Sequence, residues 1–138
     1  MDEKQGYIVY KGKVFQIEWF YSRTGKSQAY EYYKKLKASD RIRILRLFQI
    51  MGEVGKIHNL KQFRNEGNKI YSFKPQPHRF LCFFFIGSKI IVTNAFVKKQ
   101  ARLPKAEKEK TLKCKEDYEN RNKEESYYEE DYGKNDNI

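Results

Sequence analysis

Lys74, Arg79, Lys98, Lys99 and Arg102 are carried by two stretches, KPQPHR and VKKQAR, that stand where apolar runs begin or end. Arginine offers a rigid donor fork and lysine a mobile point charge, so a cluster of the two can both orient and neutralise a phosphate. With an RNA strand held there, a 2′-hydroxyl could attack the neighbouring phosphorus. The charge that accumulates in that step calls for preorganised cations, each worth a few kcal/mol, on the order of 3. Tyr71 and Phe63, if at the surface, could stack bases. The same residues also admit a plainer reading, in which the cations only solvate the edge of a sheet.

Whether these side chains meet depends on the strands that carry them. Lys69 to Lys74, His78 to Ile86 and Lys89 to Val97 are rich in β-branched and aromatic residues, and Pro75-Gln76-Pro77 and Gly87-Ser88 join them as an antiparallel meander. Alternation puts Ser72 and Lys74 on one face of the first strand, Arg79, Leu81 and Phe83 on one face of the second, and Asn94, Phe96 and Lys98 on one face of the third. Two reversals bring the end of the third strand back beside the proline turn. The pattern therefore predicts Lys74, Arg79, Lys98 and Lys99 in one patch.

Upstream, Tyr7 to Phe20 predicts a strand, or two short ones around Lys11-Gly12-Lys13. Ser27 is the expected N-cap of a first helix carrying Ala29, Tyr33 and Leu36. A second helix follows, with Asp40 as its expected cap. Its apolar stripe is Ile42, Leu45, Phe48, Met51 and Val54, widened by Ile44 and Leu47, and Gly52 and Gly55 mark its end. IHNLKQFRNEGN predicts a loop. Pro104 opens a last helix whose thin apolar stripe predicts a largely solvated element. The tail from Asn122 is expected to be flexible. Helices grouped before an antiparallel sheet give an α+β fold, with two N-terminal helices packed on one sheet face and the other face left available.

The charge is divided along the chain. The 138 residues carry +11, and residues 117–138 hold eight acids against Arg121, Lys123 and Lys134, a net of −5, so residues 1–116 carry +16. A basic body of 1–116 with an acidic tail of 117–138 predicts a polyanionic partner, nucleic acid first among them. The start, MDEKQGYIVY, has no signal-peptide pattern, and Phe80 to Ile86 is too short to span a bilayer, so a cytoplasmic protein is expected. Cys82 reads as a core residue. Cys114, His58 and His78 show no metal-ligand spacing, so no metal and no cofactor is expected. The tail could also fold back over the cations and weaken RNA binding.

The segment KIYSFKPQPHRFLCFFFIGSKIIVTNAFVKKQARLPKAEKEK resembles the C-terminal half of the RelE/ParE superfamily of toxins, in particular its phage-derived HigB-like branch. Ile70-Tyr71-Ser72-Phe73-Lys74 stands for the family's Leu-Tyr-Glu-Leu-Arg. Arg79 stands for its strand arginine, Asn94-Ala95-Phe96-Val97-Lys98-Lys99 for His-x-Phe-x-Lys-Lys, and Leu103-Pro104 for the start of the last helix. The resemblance implies a RelE-like fold and a type II toxin neutralised by a cognate antitoxin. It also implies an endoribonuclease that enters the ribosome and cuts messenger RNA without metal, leaving a 2′,3′-cyclic phosphate. Carried over by position, Lys74, Arg79 and Lys98 become catalytic residues. Lys61, Arg64, Tyr71, Lys99 and Arg102 become RNA-binding ones.

Two positions depart from that pattern. Asn94 replaces a histidine and cannot carry a proton, and Lys74 replaces an arginine and loses the bidentate fork. A lysine desolvated among other cations can take a proton. Tyr118 is the candidate for a C-terminal catalytic tyrosine, and His78 lies in a turn where a solvated histidine is expected. A ParE-like gyrase inhibitor and a noncatalytic nucleic-acid-binding module are the alternative readings. Neither requires the Lys74, Arg79 and Lys98 cluster to cut RNA.

Overall fold

Strand periodicity and turn chemistry organise the chain around one sheet, in a computed structural model that describes residues 7–128. The elements are β1 (Ile8–Lys11), β2 (Gln16–Trp19), α1 (Gln28–Lys35), α2 (Ala38–Val54), β3 (Phe63–Gly67), β4 (Ile70–Phe73), β5 (His78–Phe85), β6 (Lys89–Val97) and α3 (Lys105–Lys123). The six strands lie in the order β1-β2-β6-β5-β4-β3. Four of the five pairings are antiparallel, and β2 runs parallel to β6. A parallel neighbour needs a long crossover. Here α1, α2 and the β3–β5 meander supply it. The fold is α+β, consistent with a RelE-like architecture.

The central strands are apolar on both faces. Phe80 and Cys82 of β5, with Ile90 and Val92 of β6, meet Ile44, Leu47, Phe48 and Met51 of α2 and Ala29 of α1. Leu81, Phe83 and Ile91 point the other way, into a second cluster with Tyr118 of α3 and Tyr127. The face expected to be open is therefore covered by α3, which is anchored by its buried Thr111, Tyr118 and Arg121 rather than largely solvated. Tyr127, which falls in the stretch expected to be flexible, is 2 % exposed and stacks on Phe20 at 5.9 Å. The rest of the acidic tail, from Glu129, lies outside the described residues.

Three readings of the N-terminal half and its loop are corrected. The stripe of α2 is Ile44, Leu47, Phe48, Met51 and Gly52, while Ile42, Leu45 and Val54 are exposed. A strict three-residue step drifts about 60° per step around a helix, so Ile42 and Val54 cannot share the core face with Phe48. IHNLKQFRNEGN is not all loop, since FRNEG forms β3 against β4 with Arg64 opposite Ser72. Only Phe63 of that edge strand is buried, which leaves no alternation to read. Ser27 caps α1 as expected, its side chain accepting from the Tyr30 amide at 3.2 Å. Asp40 lies in the first turn of α2, and Lys37 occupies the cap position.

Gly52 acts inside α2 rather than at its end. Its carbonyl accepts the amides of Val14 and Phe15 at 2.8 and 3.0 Å, which seats the β1–β2 hairpin on the helix. A Cβ on Gly12 would lie 2.3 Å from the Gly52 carbonyl, a backbone contact that no side chain can relieve. Gly12→Ala should therefore lose about 2 kcal/mol, a fall of roughly 6–10 °C in the thermal midpoint. An unchanged midpoint in a calorimetric scan would show that this hairpin is not seated on α2.

Candidate functional site

The cations are gathered where β4, β5 and β6 run out at one end of the sheet. β5 begins opposite the end of β6, with His78 paired to Val97 and Arg79 to Phe96. The Lys98 amide donates to the Pro77 carbonyl at 2.9 Å, which ties the departing strand to the proline turn. Arg79 is 6 % exposed and Lys74 9 %, so both side chains are largely buried. Burial, and after it the charges of Arg79, Arg64 and Lys98, push the Lys74 pKa below its ordinary value. Burial likewise works against the charged form of Arg79, and Glu66 works for it. Lys74, Arg79, Arg64 and Lys98 thus share one electrostatic neighbourhood.

Lys74 Nζ bonds the Leu60 carbonyl at 2.8 Å. Arg79 Nη1 bonds the Gln76 side-chain oxygen at 3.1 Å and the His78 carbonyl at 2.9 Å. Nη2 and Nε of Arg79 make no hydrogen bond among the described residues, and neither is sealed from solvent. Lys61, Arg64, Lys74, Arg79, Lys98, Lys99 and Arg102 form no ion pair among the described residues. The same chain pairs Arg43 with Asp40 and Lys115 with Glu119, both at 2.8 Å. Partly buried cations without carboxylates are expensive unless an anion arrives to meet them.

Glu66 is the carboxylate at this end that sequence reasoning missed. It accepts from Ser72 Oγ at 2.6 Å, and its charge acts on both Lys74 and Arg79. The sequence hides it because β3, with one buried residue, has no strand pattern and hence no register to bring Glu66 beside Ser72. The fork of Arg79 is steadied from α2. Arg43 bonds Asp40 at 2.8 Å and also the backbone carbonyl of Gln76, the residue whose side chain receives Arg79.

His78 is not a solvated turn histidine. It is 9 % exposed, with Nδ1 2.7 Å from Tyr32 Oη and Nε2 3.2 Å from Asp40 Oδ2. An ionised carboxylate only accepts, so Nε2 carries the proton toward Asp40, and in a neutral ring Nδ1 accepts from Tyr32. The Arg43 hydrogen bond, aided by His78, holds Asp40 below the ordinary carboxylate range. His78 thus fastens the proline turn to α1 and α2.

Other expected residues stand elsewhere. Tyr71 is on the opposite face, stacked on buried Phe63 at 5.6 Å and edge-on to Phe84 at 5.0 Å, so the structure does not bring either ring to the cations. Lys61 is exposed beside α2, in a groove that it shares with Lys74, Arg43 and Arg46. Lys99 and Arg102 are exposed in the connection from β6 to α3. Tyr118 packs on Phe83 and Phe85 at the far end of the sheet, with its hydroxyl 2.5 Å from that of Tyr128. Burial drives its pKa up, away from any proton-transfer role near neutrality. Asn94 accepts from Thr93 and Thr111 at 2.6 and 2.7 Å and donates to Glu107, so it pins α3 to β6.

A family model described as "Phage derived protein Gp49-like (DUF891)" matches residues 31–116, which hold most of α1, α2, β3 to β6 and the first part of α3. No curated protein matches the chain. Among the described residues no helix is long and apolar enough to cross a membrane.

Because Lys74 is buried among like charges, Lys74→Met should raise stability by about 1 kcal/mol, a gain of a few °C in the thermal midpoint. A lowered midpoint would mean that the bond to the Leu60 carbonyl outweighs the repulsion.

Proposed function

The chain belongs to the phage-derived Gp49-like family, a RelE-like toxin family whose members imply an antitoxin partner, and from that premise we propose that it is a HigB-like, ribosome-dependent messenger RNA endonuclease. The observation that carries this reading is the end of the sheet where Lys74, Arg79, Arg64 and Lys98 are held together without ion pairs, with two donor atoms of Arg79 unused. A gyrase inhibitor has no use for that arrangement.

In the reaction the scissile phosphodiester lies against the open donors of Arg79, and Lys98 adds a second charge. The 2′-oxygen forms a bond to phosphorus as the bond from phosphorus to the 5′-oxygen breaks. Glu66 takes the proton from the 2′-hydroxyl. Lys74, made more acidic by burial and by its cationic neighbours, supplies a proton to the departing 5′-oxygen. The products are a 2′,3′-cyclic phosphate and a 5′-hydroxyl. Arg79 and Lys98 act as fixed charges aimed where negative charge grows, the kind of term that contributes most to such catalysis. Lys99 and Arg102, exposed beside the cluster, hold flanking phosphates in the manner of sequence-independent backbone contacts. Lys61 and Arg64 extend the same surface toward β3.

Induction in a bacterium, with new messenger 5′ ends mapped on ribosomes, tests this reading. The protein should produce cuts at fixed positions within codons. Arg79→Ala should lower cutting by about 10²–10³-fold while keeping its thermal midpoint within a few °C. Growth arrest without new ends would overturn the nuclease reading. Glu66→Gln should lower cutting by at least tenfold as a missing general base, and unchanged cutting would remove Glu66 from that role.

A further inference from the structure

A groove of about 360 Å³ lies between α2 and the segments before β3 and after β4. Its charged lining is Arg43, Arg46, Lys61 and Lys74, with no carboxylate among the lining residues. Arg43 is neutralised by Asp40 at 2.8 Å. The side chains of Arg46 and Lys61 are exposed and make no hydrogen bond or ion pair among the described residues. Leu47, Ile50 and Pro75 give the groove an apolar side, and the side-chain amide of Gln62 has no partner among the described residues. Lys74 belongs to this groove and to the cation cluster around Arg79 at once.

We propose that this groove is a subsite for the messenger nucleotide adjoining the scissile phosphodiester, an inference that rests on the nuclease reading above. The base lies on Ile50, the Gln62 amide meets its edge with one donor and one acceptor, and Arg46 and Lys61 take the following phosphate. Each part matches a need of that ligand. Base faces are apolar, base edges pair donors with acceptors, and phosphates are held by unpaired cations. A docked amphipathic helix is a poorer match, because it needs anchors recurring over two or more turns along an extended apolar trough. Only Leu47 and Ile50 of α2 offer apolar surface in this groove.

The probe is a ribosome-bound messenger with a 2′-deoxy nucleotide at the mapped cut position and 4-thiouridine next to it. Irradiation with the wild-type protein should cross-link the 4-thiouridine to the stretch 43–62. The double variant Arg46→Ala, Lys61→Ala should lose that cross-link and cut native messenger about tenfold or more slowly, as two lost phosphate contacts require. Its thermal midpoint should not move, since both side chains are exposed and unbonded. Cross-links that fall elsewhere while cutting persists would overturn the subsite and leave the nuclease reading standing. Slower cutting with an unchanged cross-link, or a variant that loses only its antitoxin, would likewise overturn it. Absence of any cut position in the wild type would overturn both inferences.

Discussion

Burial of β5 and β6 on both faces is the constraint from which the rest of the architecture follows. Phe80 and Cys82 are sealed by α1 and α2, and Leu81 and Phe83 by the layer that includes α3. Strands so enclosed can carry charge only where they end, and the two ends are built differently. At the Phe85–Lys89 end the cation is answered: Lys89 lies 3.7 Å from Glu18 and bonds Tyr128 at 3.0 Å, and Tyr128 in turn bonds Glu18. At the His78–Val97 end Lys74, Arg79 and Lys98 form no ion pair among the described residues, and Glu66, bonded to Ser72, is the carboxylate whose charge acts on the first two. The contrast within one sheet supports the proposed reading, in which this end meets an anion from outside, because the same chain shows how a strand-end lysine is paired where only stability is at stake.

The β4–β6 meander and the meeting of Lys74, Arg79 and Lys98 were legible because strand alternation is strict and the connecting turns are short. Ser27 was legible because a cap is a local device. What was hidden depended on partners far along the chain. β3 carries one buried residue, Phe63, and an edge strand with one anchor has no period. α3 looked solvated because its buried residues are Thr111, Tyr118 and Arg121, side chains that enter an interior only when their polar ends are satisfied. Arg121 is held there by Nη2, which bonds Asp117 and the Tyr21 carbonyl, both at 2.7 Å. Tyr71 and Phe63 were drawn to the cations by composition, although alternation already assigned Tyr71 to the face opposite Ser72. The parallel pairing of β2 with β6 has no local signature at all.

The last described residues follow the same layout. Tyr128, the last described residue, is bonded at the Lys89 end of β6, and Lys98 lies beyond the other end of that nine-residue strand. At about 3.3 Å per residue the strand separates them by nearly 30 Å. The acids from Glu129 on, and with them the expected fold-back over the cations, lie outside the described residues, while α3 with Tyr127 and Tyr128 closes one face of the sheet.

The cation cluster is tied by hydrogen bonds to the exposed face of α2. Tyr32, His78, Asp40 and Arg43 form one hydrogen-bonded series, Arg43 reaches the Gln76 backbone, and the Gln76 side chain receives Arg79 while also donating to the Lys61 carbonyl at 3.3 Å. Gln76 is thus the joint between the exposed face of α2 and the one arginine buried at the strand ends. Rotation of the Arg79 fork requires Gln76 to move, and Gln76 is restrained by a cation that sits on the outer face of a helix. A partner that draws Arg43 away from Gln76 would loosen Arg79 without entering the pocket. For a member of a toxin family with antitoxin partners, such a joint links the exposed face of α2 to the cations at the strand ends.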